Sequence, residues 1–265
     1  MLSAAAQPNY DMKQIKREYL NRGVIAVRND QQVIVGWRTL TNDAKGQAFD
    51  IYRNGNKLNR EPLTKGGTFF VDNTPLQTSA TYEVRGGSIN GRYLLQANAP
   101  DGYLTIPLQK PADGECPDGR QYRYSANDAS VGDVDGDGQY EIILKWDPSN
   151  ARDNAHDGYT GPTLFDCYRL DGTLLWRIDL GRNIRSGAHY TPFIVYDLDG
   201  DGKAEMMVRT SDGTRDAKGN IIGDALADYR HKGPDRIGRI LTGKEYITVF
   251  TSRSEERFSR NAETD

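Results

Sequence analysis

Two nine-residue segments carry most of the chemistry that this sequence can hold. Asp133-Val-Asp135-Gly-Asp137-Gly138-Gln139-Tyr-Glu141 and Asp197-Leu-Asp199-Gly-Asp201-Gly202-Lys203-Ala-Glu205 share one pattern, with acidic residues at positions 1, 3, 5 and 9 and glycine at 4 and 6. Alternate residues turn their carboxylates inward, and Gly138 and Gly202 allow a sharp bend. The backbone carbonyl at position 7, Gln139 or Lys203, adds one more oxygen, so the spacing is that of a calcium loop. Left without a cation, four carboxylates a few ångströms apart would repel one another and their pKa values would rise. Two solvated acidic turns are the plain alternative, and two copies matching at six positions each argue against it.

The elements that must position these loops read as strands, not as the helices of an EF-hand. Glu141-Ile-Ile-Leu-Lys-Trp146 follows the first loop, while Phe193-Ile-Val-Tyr196 and Met206-Met-Val-Arg209 flank the second. Each loop therefore staples a β-hairpin. A polar excursion follows each one, Asp147 to Gly161 and Ser211 to Lys244, and then more strand: Leu164 to Leu170 and Thr173 to Ile178 in the first unit, Glu245 to Phe250 in the second. The loops recur 64 residues apart, which is the signature of an internal repeat of about four strands per unit, a propeller blade lengthened by its excursion.

Upstream, residues 15–110 show only strand and turn signals. Val24-Ile-Ala-Val27 and Val33-Ile-Val-Gly-Trp37 flank a polar turn, and Phe49-Asp-Ile-Tyr-Arg53 runs into Asn54-Gly55, a strong hairpin signal. Thr68 to Asp72 and Thr81 to Arg85 continue the pattern, so a small β-sandwich is predicted. The segment resembles a fibronectin type III domain, with Trp37 where that family buries a strand Trp. A Pro/Gly/Asp-rich connector then leads to the repeat region, 120–250. The fold class predicted is all-β: a fibronectin type III-like sandwich followed by the first blades of a truncated, calcium-stapled β-propeller.

Composition excludes several function classes. The chain has 265 residues, 34 Lys plus Arg against 37 Asp plus Glu, and a net charge of −3, with no basic run to grip a phosphate backbone. Neither a nucleic-acid partner nor a membrane span is expected. Cys116 and Cys167 stand 51 residues apart and fit no zinc or redox spacing; one disulfide or two thiols are equally compatible with the sequence. Leu2 to Gln7 is a small-residue stretch like the cleavage region of a secretory signal, which points to a secreted or periplasmic parent protein, an ordinary frayed N-terminus being the bland alternative. Residues 251–265 show no apolar strand that would complete a second blade, so the reading there is a truncation followed by an aberrant tail, with fewer than two complete blades.

A more specific resemblance lies in the segments around the loops. Tyr124-Ser-Ala-Asn-Asp-Ala-Ser-Val-Gly-Asp133, Lys145-Trp-Asp-Pro-Ser-Asn150, Gly158-Tyr-Thr-Gly161, Leu175-Trp-Arg-Ile-Asp-Leu-Gly181, Gly187-Ala-His-Tyr190 and Tyr196-Asp-Leu-Asp-Gly-Asp-Gly202 resemble the rhamnogalacturonan lyases of polysaccharide lyase family 11. The resemblance runs from about Tyr19 to Phe250. It implies a fibronectin-like domain on an eight-bladed, calcium-rich propeller, a pectic polysaccharide (rhamnogalacturonan I) as partner, Ca2+ as cofactor, and cleavage by β-elimination at galacturonate.

That reaction removes the proton at C5, next to a carboxylate, so the developing charge needs a cation or Arg/Lys, and a base must take the proton. His189 falls within a family motif and is the candidate base; a loop-orienting histidine is its bland reading. Lys145, Asn150, Tyr159 and Arg185 lie on rim-facing segments by the same resemblance and are candidate contacts to uronate or sugar. The resemblance implies a structural role for calcium at both loops, and a chain that stops inside the second blade is expected to be an inactive fragment. The competing reading is a non-catalytic calcium-binding propeller serving carbohydrate binding or adhesion, and a third is a gene remnant without its own function. Endo and exo action are not distinguished.

Overall fold

A computed structural model describes residues 18–153 and 155–251 and the backbone of residues 256–261. The signal-like stretch Leu2 to Gln7 lies outside the described residues. Every element is a strand, and no helix among the described residues is long and apolar enough to cross a membrane.

The first seven strands are β1 (Ile25–Asn29), β2 (Gln32–Gly36), β3 (Asp50–Arg53), β4 (Asn56–Lys57), β5 (Phe69–Asp72), β6 (Ala80–Arg85) and β7 (Gly91–Leu95). They form two antiparallel sheets, ordered β1-β2-β5 and β4-β3-β6-β7. Period-2 alternation sends Val33 and Val35 from one sheet, and Ile51, Tyr82 and Val84 from the other, into one shared core with Trp37 and Phe49. The Asn54-Gly55 signal is realised: both residues have positive φ, 49° and 80°, and Arg53 pairs with Asn56 across a two-residue turn. Because this core draws only on residues up to Ala99, a fragment of residues 15–108 is expected to fold alone and melt in one cooperative transition by circular dichroism. A broad, non-cooperative melt would refute that independence.

A two-stranded ribbon, β8 (Gly114–Glu115) and β9 (Gln121–Tyr122), leads into two four-stranded antiparallel sheets. The first comprises β10 (Tyr124–Gly132), β11 (Glu141–Pro148), β12 (Leu164–Tyr168) and β13 (Leu174–Asp179), paired in chain order. The second comprises β14 (Phe193–Tyr196), β15 (Glu205–Ser211), β16 (Glu245–Phe250) and β17 (Glu256–Asn261), again in chain order. Ile143, Phe165, Cys167, Trp176 and Ile178 of the first sheet pack with Met206, Val208 and Phe250 of the second. The opposite face of the first sheet buries Leu144, Trp146, Leu164 and Tyr168, so β11 and β12 are covered on both sides along most of their length. Asp166 of β12 is fully buried within this face, where Trp146, Tyr168 and a bidentate Arg177 all donate to its carboxylate. Cys116 and Cys167 are both buried and unpaired.

The second sheet differs from the sequence expectation. β17 pairs with β16 from Tyr246 opposite Asn261 to Phe250 opposite Glu256, so backbone after Phe250 does supply a fourth strand. Pairing at a sheet edge rests on main-chain hydrogen bonds that side-chain periodicity does not report. On this sheet Ile194 and Ile247 remain about half exposed beside Met207, forming an uncovered apolar face.

Candidate functional site

Both acidic segments are hairpin turns, between β10 and β11 and between β14 and β15, and they have the same internal wiring. In the first, the two carboxylate oxygens of buried Asp133 accept from the Gly136 and Gly138 amides at 2.8 and 2.9 Å. Buried Glu141 accepts from the Val134 amide at 2.8 Å, and Asp135 and Asp137 each accept from the amide two residues on. In the second, Asp197 accepts from Gly200 and Gly202, Glu205 from Leu198, Asp199 from Asp201, and Asp201 from Lys203. Gly136, Gly138, Gly200 and Gly202 all have φ between 73° and 95°, so the glycines at positions 4 and 6 are required by the turn.

Oxygens of Asp133, Asp135 and Glu141 lie within 4.8 Å of one another, and so do those of Asp197, Asp199 and Glu205. Asp137 and Asp201 fall outside these trios and are exposed. Burial pushes the Glu141 carboxyl up to about 7, and raises Asp133 and Glu205 as well, with neighbouring carboxylates adding to the shift. An all-oxygen trio of mutually repelling, partly buried carboxylates fits a hard divalent cation. The Asp135→Ala/Asp199→Ala double variant is expected to abolish cation uptake measured by titration calorimetry. Unchanged uptake would remove both loops as metal sites.

The two loops touch. The Ala204 amide donates to the Asp133 carbonyl at 2.8 Å, and a side chain at Gly136 would strike the Lys203 stem. Residues 18–21, which no spacing in the sequence singles out, close over both. Glu18 accepts from the Asp133 amide at 2.6 Å, the Tyr19 ring covers Gly202, and the Asn21 amide donates to the Gly138 carbonyl at 2.7 Å. Burial raises the Glu18 pKa, and Asp133 and Asp197 repel its charge further, so cations in the two loops would favour this docking.

At the other end of the β10–β11 hairpin the ladder breaks between Ala126 and Ala129, so that Asn127 and Asp128 bulge opposite Lys145. The bulge aims exposed Asp128 at the Lys145 ammonium, 2.5 Å away, and the whole Lys145 side chain is buried. Asp147, two residues on and therefore on the same face, keeps one buried oxygen without a hydrogen-bond partner. Burial raises its pKa, with Lys145 opposing. From Glu141 to Asp147 is six strand residues, which sets this cluster roughly 20 Å from the metal loop. Sequence reading singled out Lys145 but not Asn127, Asp128 or Asp147, because a bulge has no periodic signal.

The other candidates are spread around the excursions. His189 is 76% exposed in its side chain, with Nδ1 3.1 Å from the Asp153 carboxylate. Asn150 accepts from the Gly161 amide and donates to Cys116 Sγ, which pins the first excursion. Tyr159 is buried, with the Arg230 guanidinium over its ring at 5.3 Å. Arg185 is buried too, donating to the carbonyls of Gly158, Gly238 and His156. Asn150, Tyr159 and Arg185 thus hold the excursions together, and Lys145 is buried against Asp128, whereas His189 brings polar atoms to the surface.

Comparison with known proteins follows the same division of the chain. The family model for the C-terminal domain of rhamnogalacturonan lyase family 11 matches residues 103–262, a span that includes β17, and that for the β-sheet domain of rhamnogalacturonan I lyases matches residues 15–97. The rhamnogalacturonan exolyase YesX of Bacillus subtilis (strain 168) is 54% identical over 250 residues, covering 92% of this chain and 40% of the relative. The rhamnogalacturonan endolyase YesW of the same organism is 52% identical over 251 residues, covering 93% and 39%. The crystal structure of the exotype lyase YesX superposes with a TM-score of 0.85 at 52% identity, over 94% of this chain and 41% of that one. This chain therefore spans about two fifths of the length of these relatives.

Proposed function

The chain belongs to rhamnogalacturonan lyase family 11, and from that premise we propose that it takes part in cleavage of the rhamnogalacturonan I backbone of pectin by β-elimination at galacturonate. In that step the C5–H bond breaks, the C4=C5 double bond forms and the C4–O bond to the leaving sugar breaks, without water. The observation that carries the reading is the bulged end of the β10–β11 hairpin. There the buried Lys145 ammonium neutralises the exposed Asp128 carboxylate, and Asp147, with an unused buried oxygen and a raised pKa, is suited to receive a proton. His189, oriented by Asp153, is the alternative proton acceptor.

Ca2+ is the cation that suits the two oxygen trios, and it would supply rigidity to the turns at a distance from the chemistry. The three-plus-four sheet division of the N-terminal region supports a fibronectin type III-like sandwich over residues 15–110. The two chain-ordered four-stranded sheets support propeller blades over 120–250. A polysaccharide substrate is met outside the cytoplasm, which favours a secreted or periplasmic working place.

The test is affinity electrophoresis of the cation-loaded chain in gels containing rhamnogalacturonan I. Retardation is expected, and Lys145→Ala, which would leave the exposed Asp128 charge unneutralised against an acidic polymer, is expected to weaken it about tenfold. Migration identical to that in a gel without polymer would refute the reading. Retardation unaffected by Lys145→Ala would favour the competing one, a non-catalytic carbohydrate-binding or adhesion module.

A further inference from the structure

Beyond the bulge, the sheet crosses two strands to a second polar concavity. In register, Trp146 opposes Leu164, and Leu164 opposes Asp179 at the end of β13, so Asp179 stands about two strand spacings, roughly 10 Å, from Trp146 of β11 and on the face opposite Lys145. There the two four-stranded sheets are joined by an isolated bridge between Asp179 and Arg215, with main-chain bonds of 3.0 and 2.8 Å in the two directions. The bridge forms one side of a cavity of about 490 Å³.

Three arginines from three separate segments line this cavity: Arg182 just after β13, Arg215 in the turn after β15, and Arg230 in the long second excursion. Arg230 is already clamped by Asp228 through two hydrogen bonds. Arg182 and Arg215 are different. Neither has an ion-pair partner among the described residues; Arg215 makes one side-chain bond, to the Gly219 carbonyl, and burial raises the Asp179 pKa while both guanidiniums oppose that rise. Asp179 itself accepts from the Gly181 amide at 2.8 Å through one oxygen. Tyr122, Pro162 and Ile221 supply apolar wall.

A planar guanidinium pair with unspent donors recognises a carboxylate in bidentate fashion, better than a lysine would. A lone anion would meet repulsion from Asp179, whereas a hydroxylated ring carrying a carboxylate satisfies both signs: its carboxylate on the arginines, a hydroxyl on Asp179. We propose that this cavity is a second uronate subsite, taking an acidic sugar residue with its carboxylate on Arg182 and Arg215 and a ring hydroxyl on Asp179. The inference rests on the proposed rhamnogalacturonan I substrate, whose backbone carries recurrent uronates, and puts this contact on the sheet face opposite Lys145.

The experiment is titration calorimetry of the calcium-loaded chain with galacturonate di- and trisaccharides, a neutral galactose disaccharide and inorganic phosphate. Galacturonate oligomers are expected to bind and the neutral sugar to bind far more weakly. The Arg182→Gln/Arg215→Gln variant is expected to lose at least tenfold in uronate affinity, with melting temperature and calcium stoichiometry unchanged, and Arg182→Lys/Arg215→Lys is expected to lose less. Uronate binding that survives the double Gln variant but fails in Asp147→Asn would overturn the subsite and leave the Lys145 reading standing. Binding that needs the arginines in a chain not retarded by rhamnogalacturonan I would keep the subsite and overturn that reading. Phosphate binding equal to uronate, or no uronate binding at all, would overturn the sugar assignment.

Discussion

Stripping the cations with a chelator is expected to lower the melting temperature by roughly 10 °C or more and to reverse how stability depends on pH. Each site at a hundredfold excess of cation over its dissociation constant contributes about 2.7 kcal/mol. Two sites together shift the melting temperature of a chain of this size by about 2–4 °C for each kcal/mol. The sign of the pH effect follows from Glu141. In the metal-free fold its pKa stands at about 7, above the ordinary value of 4.5, because burial penalises its charge. The folded state then binds more protons than the unfolded one between those values, so stability falls as pH rises from about 4.5 to 7, by at most on the order of 3 kcal/mol. Asp133 and Glu205 are raised as well and push in the same direction. In the loaded chain the carboxylates must be ionised to hold the cation, and acid displaces it, so stability falls as pH is lowered. Calorimetric melts at pH 5 and pH 7.5, with calcium and with chelator, separate the two. Parallel pH slopes in both states would show that no cation occupies the turns.

The parts of this molecule that depend on short-range pattern were legible in one dimension. Asn54-Gly55 demands positive φ at both residues, and the two acidic nonapeptides demand their turns; both demands are local and both are met. Contacts set by tertiary pairing were not legible. Glu18 meets the Asp133 amide across 115 residues of chain, and nothing in either segment's composition announces the partner. The bulge at Asn127 and Asp128 is a defect in register, so it interrupts the very alternation by which strands are recognised. Residue type alone also misleads about roles. Arg185 and Tyr159 have the chemistry of sugar contacts, yet the excursions are irregular backbone whose carbonyls need donors and whose aromatic rings need cover. β17 shows the same limit at the sheet edge, where main-chain pairing forms a strand that side-chain periodicity left unmarked.

The 265-residue chain on its own is expected to show little or no lyase turnover, at least on the order of a hundredfold below a full-length relative assayed beside it. β-Elimination needs three things at one sugar: a cation on the carboxylate, a base at C5 and a proton for the departing oxygen. Among the described residues these functions do not converge. Lys145 and Asp147 sit at the bulged hairpin end, while His189 stands on a separate segment, turned to Asp153 and largely open to water. Displacements of even about 1 Å in such groups cost on the order of a hundredfold in rate, and an open surface gives none of the water exclusion that strengthens charge interactions. The exposed apolar face at Ile194, Met207 and Ile247 adds a tendency to self-associate, which further lowers the active fraction. The measurement is the ultraviolet absorbance of unsaturated uronate released from rhamnogalacturonan I with calcium present. Sustained turnover by this chain that disappears in His189→Ala would overturn the expectation and would place the base at His189, because this exposed side chain is bonded among the described residues only to Asp153.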